Sequence, residues 1–174
     1  MNQIGAIIDI EAFCYNSQHL IKELSIIYVY DEPIFNYKFK LPVRFQELSQ
    51  KDRKSAIFCT NYIHGLRFEN SSTDLKYTEC ISILRDTQDH IEWNGFSHIA
   101  YKGGIIEQNL LGKLGIHSIN METYNCPKFT TLLCEYGTPT VQCNAHRYAK
   151  PGTIVHCPNV EVYLFKKWLK DSKF

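Results

Sequence analysis

Carboxylates near both ends of the chain could together bind a divalent cation. Asp9 and Glu11 lie two residues apart in the apolar segment 4–13, which predicts a buried central strand. Side chains two apart on a strand project from the same face, and buried carboxylates are costly unless they bind a cation or are otherwise paired. Near the other end, His156 is followed five residues later by Glu161. These residues predict a magnesium or manganese site.

Thiol and imidazole groups near the carboxyl terminus form a second set of potential metal ligands. Cys143 and His146 are spaced as Cys-x-x-His, and Cys157 follows eleven residues after the histidine. Zinc binds thiolate and imidazole ligands and prefers four of them in a closed structural site. The sequence therefore predicts a structural zinc site with three recognisable ligands. The cysteines could alternatively be small core residues, because free cysteine is often buried.

Length and composition favour one soluble domain that spans residues 1–174. The net charge of +1 neither supports nor excludes nucleic acid as a ligand. Seven cysteines, an odd number, indicate a reducing compartment rather than a disulfide framework. The amino terminus lacks the features of a signal peptide, and no segment approaches the roughly 20 apolar residues of a spanning helix. We expect an intracellular protein, cytoplasmic or nuclear, without a membrane partner.

The order of predicted elements is typical of an α/β fold. Apolar runs predict a three-strand antiparallel meander, followed by helices that alternate with short strands and extend the sheet in parallel. Pro158 opens the last helix, and Gly115 ends an earlier one. The predicted strands are 4–13, 24–30, 34–40, 96–101 and 116–121, and the predicted helices are 75–89, 105–114 and a segment from 158 onward.

This order, with two carboxylates on the first strand, resembles the ribonuclease H-like exonucleases of the DEDD group. Asp9 and Glu11 stand where that family has the Asp-x-Glu of its first motif. The segment Ile63-His64-Gly65-Leu66 is similar to the His-Gly-Ile turn that follows the third strand of the family. The resemblance implies a ribonuclease H-like mixed sheet flanked by helices.

Two further motifs of the family are matched with substitutions. Glu107 falls where the second motif places an aspartate, and His156 with Glu161 resembles the third motif, again with glutamate in place of aspartate. The resemblance implies a nuclease that cleaves single-stranded RNA or DNA from the 3′ end with two magnesium or manganese ions. The ions would be held by Asp9, Glu11 and these two glutamates, and His156 would be the general base.

The zinc ligands narrow the resemblance to Maelstrom domains, which are ribonuclease H-like and carry a Glu-Cys-His-Cys set. Glu23 matches the family's glutamate at the start of the second strand. The resemblance therefore implies that Glu23, Cys143, His146 and Cys157 bind zinc. Most animal Maelstrom domains lack the nuclease acids, so the chain is similar to an ancestral type that keeps both sets.

Two alternatives for the zinc ligands stay open. Cys126 or Cys134 could replace Glu23, and His156 could bind zinc instead of Cys157. Glu23 could also belong to the catalytic neighbourhood.

The substitution of glutamate for aspartate at two motif positions leaves a second function open. An extra methylene displaces each carboxylate, and small displacements of catalytic groups are costly. The same fold could then be a catalytically inactive nucleic-acid-binding or protein-interaction module of a small-RNA silencing pathway.

Overall fold

The computed structural model describes residues 3–141 and 143–172. Within these residues it contains five β-strands and five α-helices. Short 3₁₀ turns occupy Phe45–Glu47, Met121–Tyr124 and Asn144–His146. The strands and helices follow in the order β1 (Ile4–Tyr15), β2 (Gln18–Tyr28), β3 (Ile34–Lys38), α1 (Gln50–Tyr62), α2 (Glu79–Trp93), β4 (His98–Tyr101), α3 (Ile105–Leu114), β5 (Ser118–Asn120), α4 (Phe129–Tyr136) and α5 (Pro158–Asp171).

The five strands form one open, mixed sheet in the order β3-β2-β1-β4-β5. The first three strands pair antiparallel, whereas β4 and β5 extend the sheet in parallel from β1. A two-residue turn joins β1 to β2 through Asn16 and Ser17, which both have positive φ as such hairpins require. The predicted α/β class, with an antiparallel meander extended by parallel strands, is confirmed.

Helices cover both faces of the sheet. On one face, α4 and α5 pack over residues such as Ile7 and Ile27, and Phe165 of α5 is fully buried there. On the other face, α2 and α3 pack over Ile8 and Ile26. Because side chains alternate along a strand, Asp9 and Glu11 continue the face of β1 that carries Ile7 and that packs against α5. The central strand thus delivers both carboxylates to the amino-terminal end of α5.

Several predicted boundaries are confirmed, and the predicted starts of two elements are wrong. Strand β2 begins at Gln18 rather than at residue 24, so Glu23 lies inside this strand and not at its start. Helix α3 ends at Gly115, which adopts the left-handed conformation, and α5 begins with Pro158 in its first turn. Helix α2 begins at Glu79 rather than at residue 75, because Leu75 forms a bridge to the end of β3. Its N–H donates to the carbonyl of Lys38 at 2.7 Å. The backbone groups that would have started the helix are used by the sheet instead.

Helices α1 and α4 were not predicted. The outward side of α1 carries Ile57 and Phe58, both about half exposed, so its apolar residues do not follow one core-facing stripe. Within residues 3–141 and 143–172, no helix combines the length and apolar character that crossing a bilayer requires.

Two adjacent candidate metal sites

Four carboxylates from three elements lie near enough to one another for their charges to interact. Asp9 and Glu11 come from β1, Glu107 from the first turn of α3, and Glu161 from the first turn of α5. Asp9, Glu107 and Glu161 are buried, and Glu11 is partly exposed. A ligand atom of Glu11, one of Glu161 and one of His156 lie within 4.8 Å of one another. Asp9 and Glu107 lie outside this compact group but near enough for their charges to act on its acids. We call these five residues, all of which the sequence predicted for a divalent-metal site, the acid cluster.

Local backbone geometry places Glu107 in the acid cluster. Its Oε1 accepts a hydrogen bond of 3.2 Å from the N–H of Ile10 in β1, although 97 positions separate the two residues. The carboxylate lies directly over Gly104, where an added Cβ would be only 2.7 Å from the carboxyl carbon of Glu107. The absence of a side chain at Gly104 therefore leaves room for this carboxylate between α3 and β1.

The carboxylates of the acid cluster repel one another. Burial, followed by the charges of Glu161 and Glu107, raises the pKa of Asp9 well above its usual value. Burial and the charge of Glu161 likewise raise the pKa of Glu11, and burial raises the pKa of Glu107 to about 7. Repulsion of this kind is relieved when a cation is bound between the groups.

Two oxygens in the acid cluster show that a cation would fit. Asp9 Oδ2 and Glu107 Oε2 are buried, and neither has a hydrogen-bond partner in the described residues. Buried polar atoms are nearly always paired, so an unpaired carboxylate oxygen calls for a specific explanation. Carboxylate oxygens are the hard ligands that magnesium and manganese prefer. The donor set therefore fits a divalent cation of this class.

His156 lies at the exposed edge of the acid cluster. Its Nδ1 is 2.6 Å from Glu161 Oε1, and this hydrogen bond raises the pKa of the imidazole. The backbone N–H of His156 donates to the carbonyl of Ile63 at 3.0 Å. About 40% of its side chain is exposed. The ring is therefore held on one edge by Glu161 and can be reached from solvent.

A Cys-His-Cys group able to bind a metal lies beside the acid cluster. Ligand atoms of Cys143, His146 and Cys157 lie within 4.8 Å of one another. Glu23 Oε2 is 2.9 Å from His146 Nε2, and Cys143 Sγ donates to Glu23 Oε1 at 3.5 Å. In a tetrahedral zinc centre, bonds of about 2.0 to 2.3 Å place the ligand atoms roughly 3.3 to 3.8 Å apart. We call these four residues the thiol cluster. The two cysteines and the histidine already form a compact set, whereas Glu23 contacts His146 and Cys143 through different oxygens and would have to turn its carboxylate to complete the four.

The structure distinguishes between the alternatives that the sequence left open for the fourth ligand. Glu23 lies in the thiol cluster, whereas Cys126 is buried in the hydrophobic core beneath α4 and α5, and Cys134 is exposed on α4. His156 is grouped with Glu11 and Glu161 of the acid cluster, whereas Cys157 is the residue grouped with Cys143 and His146. All seven cysteine thiols of the chain are free.

The protonation chemistry of the thiol cluster suits metal binding. Hydrogen bonds from Cys143 and His146 lower the pKa of the Cys157 thiol to about 4. Burial opposes charge on His146, but its close contacts with Cys157 and Glu23 outweigh burial and raise its pKa to about 10. The thiolate is the form of cysteine that binds metals. Cys157 is therefore in the binding form at neutral pH, and His146 would release its proton when a metal binds.

The His64-Gly65 turn orients His146. The Nδ1 of His146 hydrogen-bonds to the carbonyl oxygen of His64, which leaves Nε2 directed at Glu23. Neither Nε2 nor Glu23 Oε2 forms a well-directed hydrogen bond in the described residues, although both are buried. Metal-binding histidines typically donate their other ring N–H to a carbonyl or carboxylate. The imidazole is thus set in the tautomer and direction that binding through Nε2 requires.

Gly65 permits this close approach. It has a φ of +67°, and an added Cβ would lie 2.9 Å from the carbonyl carbon of His146 and overlap its oxygen. Its carbonyl also accepts a hydrogen bond of 3.2 Å from the N–H of Tyr148. The sequence singled out this turn through a family resemblance, and the structure shows its physical role, which is to hold the segment that carries His146.

A polar network that sequence reasoning missed supports Glu23. Asn36 of β3 donates to Glu23 Oε1 at 2.8 Å and to Ser25 Oγ at 2.9 Å. Ser25 Oγ in turn donates to Asn159 Oδ1 at 2.7 Å, which connects the network to α5. The register pairs Ser25 with Asn36 across β2 and β3, so only knowledge of the strand pairing could have revealed this network.

The acid cluster and the thiol cluster share their backbone. Glu11 and Glu23 are directly opposite each other in the pairing of β1 with β2, and cross-strand partners lie on the same face of a sheet. His156 and Cys157, one from each cluster, are consecutive residues. The charges of Glu23 and His146 also contribute to the pKa of Glu11. The two clusters are therefore adjacent, and a displacement of one would move the other.

Comparison with known proteins gives no family assignment, because no protein-family model and no curated protein matches the chain. Functional conclusions consequently depend on the chemistry of the two clusters.

Proposed function

We propose that the chain is a ribonuclease H-like, metal-dependent nuclease that cleaves single-stranded RNA or DNA, with 3′ to 5′ polarity, and that carries a structural zinc centre of the Maelstrom type. One observation carries the proposal above all others. Four carboxylates from β1, α3 and α5 converge, and two of their buried oxygens, on Asp9 and Glu107, lack any hydrogen-bond partner in the described residues.

The acid cluster has the ligands that phosphodiester hydrolysis with two metal ions needs. Asp9, Glu11, Glu107 and Glu161 would hold magnesium or manganese. Such ions, when bound, stabilise the charge that develops on the attacking and leaving oxygens. Two of the carboxylates are held in position. Glu107 accepts a hydrogen bond from the N–H of Ile10 in β1, and Asp9 is buried on the same strand.

His156 is the proposed general base. Its Nδ1 is engaged by Glu161, so Nε2 is the ring atom available to take a proton from an attacking water. The neighbouring carboxylate stabilises the imidazolium that results, and general-base catalysis of this type contributes about 10²- to 10⁴-fold to rate. The partial exposure of His156 allows substrate and water to reach it.

Zinc in the thiol cluster would be structural. Four protein ligands form a closed set, which leaves no open position for substrate. Zinc bound there would fasten the segment that contains Cys143 and His146, together with the start of α5, to β2 through Glu23. Because His156 precedes Cys157 directly, the same attachment would position the general base.

Two coarser observations support the proposal. The observed sheet has the antiparallel meander with parallel extension that the ribonuclease H-like resemblance implies. The free thiols of all seven cysteines favour a reducing compartment, so we propose an intracellular location, cytoplasmic or nuclear.

A cleavage assay on labelled strands tests the proposal. Wild-type protein is incubated with 5′-labelled single-stranded RNA or DNA and with magnesium, manganese or EDTA. The Asp9→Asn, Glu11→Gln double variant is the inactive control, and Asp89→Asn, on the exposed surface of α2, is the matched surface control. We expect progressive shortening that requires added metal, persists in the surface control and is absent from the double variant. Intact substrate with every metal would overturn the nuclease proposal.

The close contact between His156 and Glu161 favours a second candidate. At 2.6 Å, the imidazole blocks one carboxylate oxygen of a proposed metal ligand. In this alternative, the chain is a catalytically inactive, zinc-containing module of a small-RNA silencing pathway that binds nucleic acid or protein. This module would bind zinc, but manganese would not raise its melting temperature. Calorimetry with added manganese therefore distinguishes it from the nuclease.

A further inference from the structure

A cationic groove adjoins the turn that contains His64 and Gly65, and none of its lining residues belongs to the acid cluster. Its cavity of about 490 Å³ lies between strands β2 and β3, the segment 66–74 and the segment 144–148. Four cationic and two acidic side chains line it, although the whole chain carries a net charge of only +1. The cations are Lys22, Lys38, Arg67 and Arg147, and we call this cavity the cationic groove.

We propose that the cationic groove binds the phosphodiester backbone of a single-stranded nucleic acid, at a site separate from the acid cluster. The presence of an anion site follows from the groove alone. Its assignment to a nucleic-acid strand rests on the proposed function.

Tyr148 holds two of the cations in place before any ligand binds. The guanidinium carbons of Arg67 and Arg147 lie 5.2 and 5.3 Å from the centre of the Tyr148 ring. Arg147 also donates to the Tyr148 hydroxyl at 3.2 Å. A guanidinium has five N–H donors, so each arginine keeps donors for the bidentate contacts that phosphates accept. Because both side chains are already ordered, binding would lose little further conformational entropy.

The charges in the groove are not fully compensated from within. Lys22 is buried and paired with Asp74 at 2.8 Å, so it contributes structure rather than free charge. Arg67 forms an exposed ion pair with Glu69 at 3.2 Å, which a stronger anionic ligand could replace. Lys38 is the cross-strand partner of Glu23, and its charge helps to lower the pKa of that carboxyl, so it is partly compensated. Arg147 forms no ion pair in the described part of the chain. The groove therefore presents an excess of positive charge to a ligand from solvent.

The groove is connected to the acid cluster through a short piece of backbone. Tyr148 is hydrogen-bonded to the carbonyl of Gly65, and His156 to the carbonyl of Ile63. Two residues span at most about 7 Å of chain, so the wall of the groove and the proposed general base are attached to neighbouring points of one turn. A strand bound in the groove could consequently extend to the acid cluster.

Binding of a short, fluorescein-labelled oligouridylate, followed by fluorescence anisotropy without added divalent metal, tests the inference. Each phosphate contact to a single strand adds about 0.7 to the slope of log affinity against log salt. The Arg67→Gln, Arg147→Gln double variant should therefore lower that slope by about 1.4 and weaken binding roughly tenfold at about 0.15 M salt. The Lys51→Gln, Arg85→Gln variant removes the same charge from exposed helix positions outside the groove, and we expect it to bind nearly as wild type does.

A third variant separates charge from preorganisation. Tyr148→Leu keeps both arginines, so we expect severalfold weaker binding with an unchanged salt slope. The zinc content of every variant is measured, because Arg147 directly follows His146.

The outcomes are distinct from those of the nuclease test. Equal binding by the two charge-matched double variants would overturn the groove inference, even if the wild-type protein cleaves nucleic acid. Loss of binding in the groove variant, with no cleavage by wild type, would support the groove and reject the nuclease. Inorganic phosphate could bind only when both arginines are present, while the oligonucleotide does not bind in the groove. In that case the groove is a small-anion site and the nucleic-acid assignment is wrong.

Discussion

Substitution of Gly65 by alanine should damage the thiol cluster without touching any ligand. The added Cβ would meet two unfavourable conditions at once. The φ of +67° is a left-handed conformation, and the Cβ would lie 2.9 Å from the carbonyl carbon of His146. The backbone of the turn or of the segment that carries His146 must therefore move.

The cost can be worked out by comparison with Gly115. This glycine has nearly the same φ, +69°, but an added Cβ there would meet nothing within 4 Å. Gly115→Ala should consequently cost only the left-handed strain, about 1 to 2 kcal/mol. Gly65→Ala adds the loss or weakening of two hydrogen bonds, from Tyr148 to Gly65 and between His146 and His64, at about 1 kcal/mol each. We expect a total of about 3 to 4 kcal/mol.

Denaturant unfolding and zinc competition measure the two consequences. Midpoints at an unchanged m-value give the loss of unfolding free energy for each variant. Loss of a backbone partner of a metal-binding histidine typically lowers metal affinity by about 10- to 100-fold. Gly65→Ala should therefore lose zinc to a chromophoric chelator at concentrations that Gly115→Ala resists. Equal destabilisation of the two variants, with equal zinc affinity, would refute the proposed role of the turn.

Three further substitutions test individual contacts in the clusters. Asp9→Asn removes one of several carboxylates that repel one another, so without divalent metal it should raise the unfolding free energy by on the order of 1 kcal/mol. Calorimetry should show that manganese does not stabilise this variant. If the variant is less stable than wild type, the proposed repulsion is wrong. Gly104→Ala should displace Glu107 and reduce cleavage about 100-fold; unchanged kcat would argue against this carboxylate. Because φ at this position is −51°, alanine adds no left-handed strain, and we expect a loss of unfolding free energy of about 1 kcal/mol from the hydrogen bond between Ile10 and Glu107. Asn36→Ala removes a hydrogen bond to Glu23 and should weaken zinc binding about 10- to 100-fold. Unchanged zinc affinity in chelator competition would show that the polar network does not support the thiol cluster.

The residues of the acid cluster could be predicted because their local pattern survives folding. An apolar run with two carboxylates two positions apart can become a central strand with both on one face, and β1 does so. The Gly115 stop of α3 and the Pro158 start of α5 are also local signals, and Pro158 places Glu161 in the first turn of its helix. What the sequence alone could not provide was the direction of these helices relative to β1.

Features that depend on long-range pairing escaped prediction. Leu75 carries a helix-like pattern, yet its backbone is used by a bridge to β3, and no local signal competes with that pattern. Helix α1 exposes Ile57 and Phe58, so its apolar residues do not repeat along one buried face of the helix. The support of Glu23 by Asn36 likewise exists only because β2 and β3 pair in one particular register. For Leu75 and for Asn36 the deciding contact is made by residues distant in sequence, whereas α1 was missed because two of its large apolar residues face solvent.

The shared backbone of the two clusters explains why a closed thiol cluster would matter to chemistry beside it. Without a cation, the acid cluster tends to push α5 away from β1, because Glu161 repels Asp9 and Glu11. A metal held by Cys157 on one side and Glu23 on the other would oppose that movement at the residue next to His156. Zinc in the thiol cluster would therefore reduce the rearrangement that a catalytic ion must drive when it binds, and preorganisation of this kind raises affinity without any new contact.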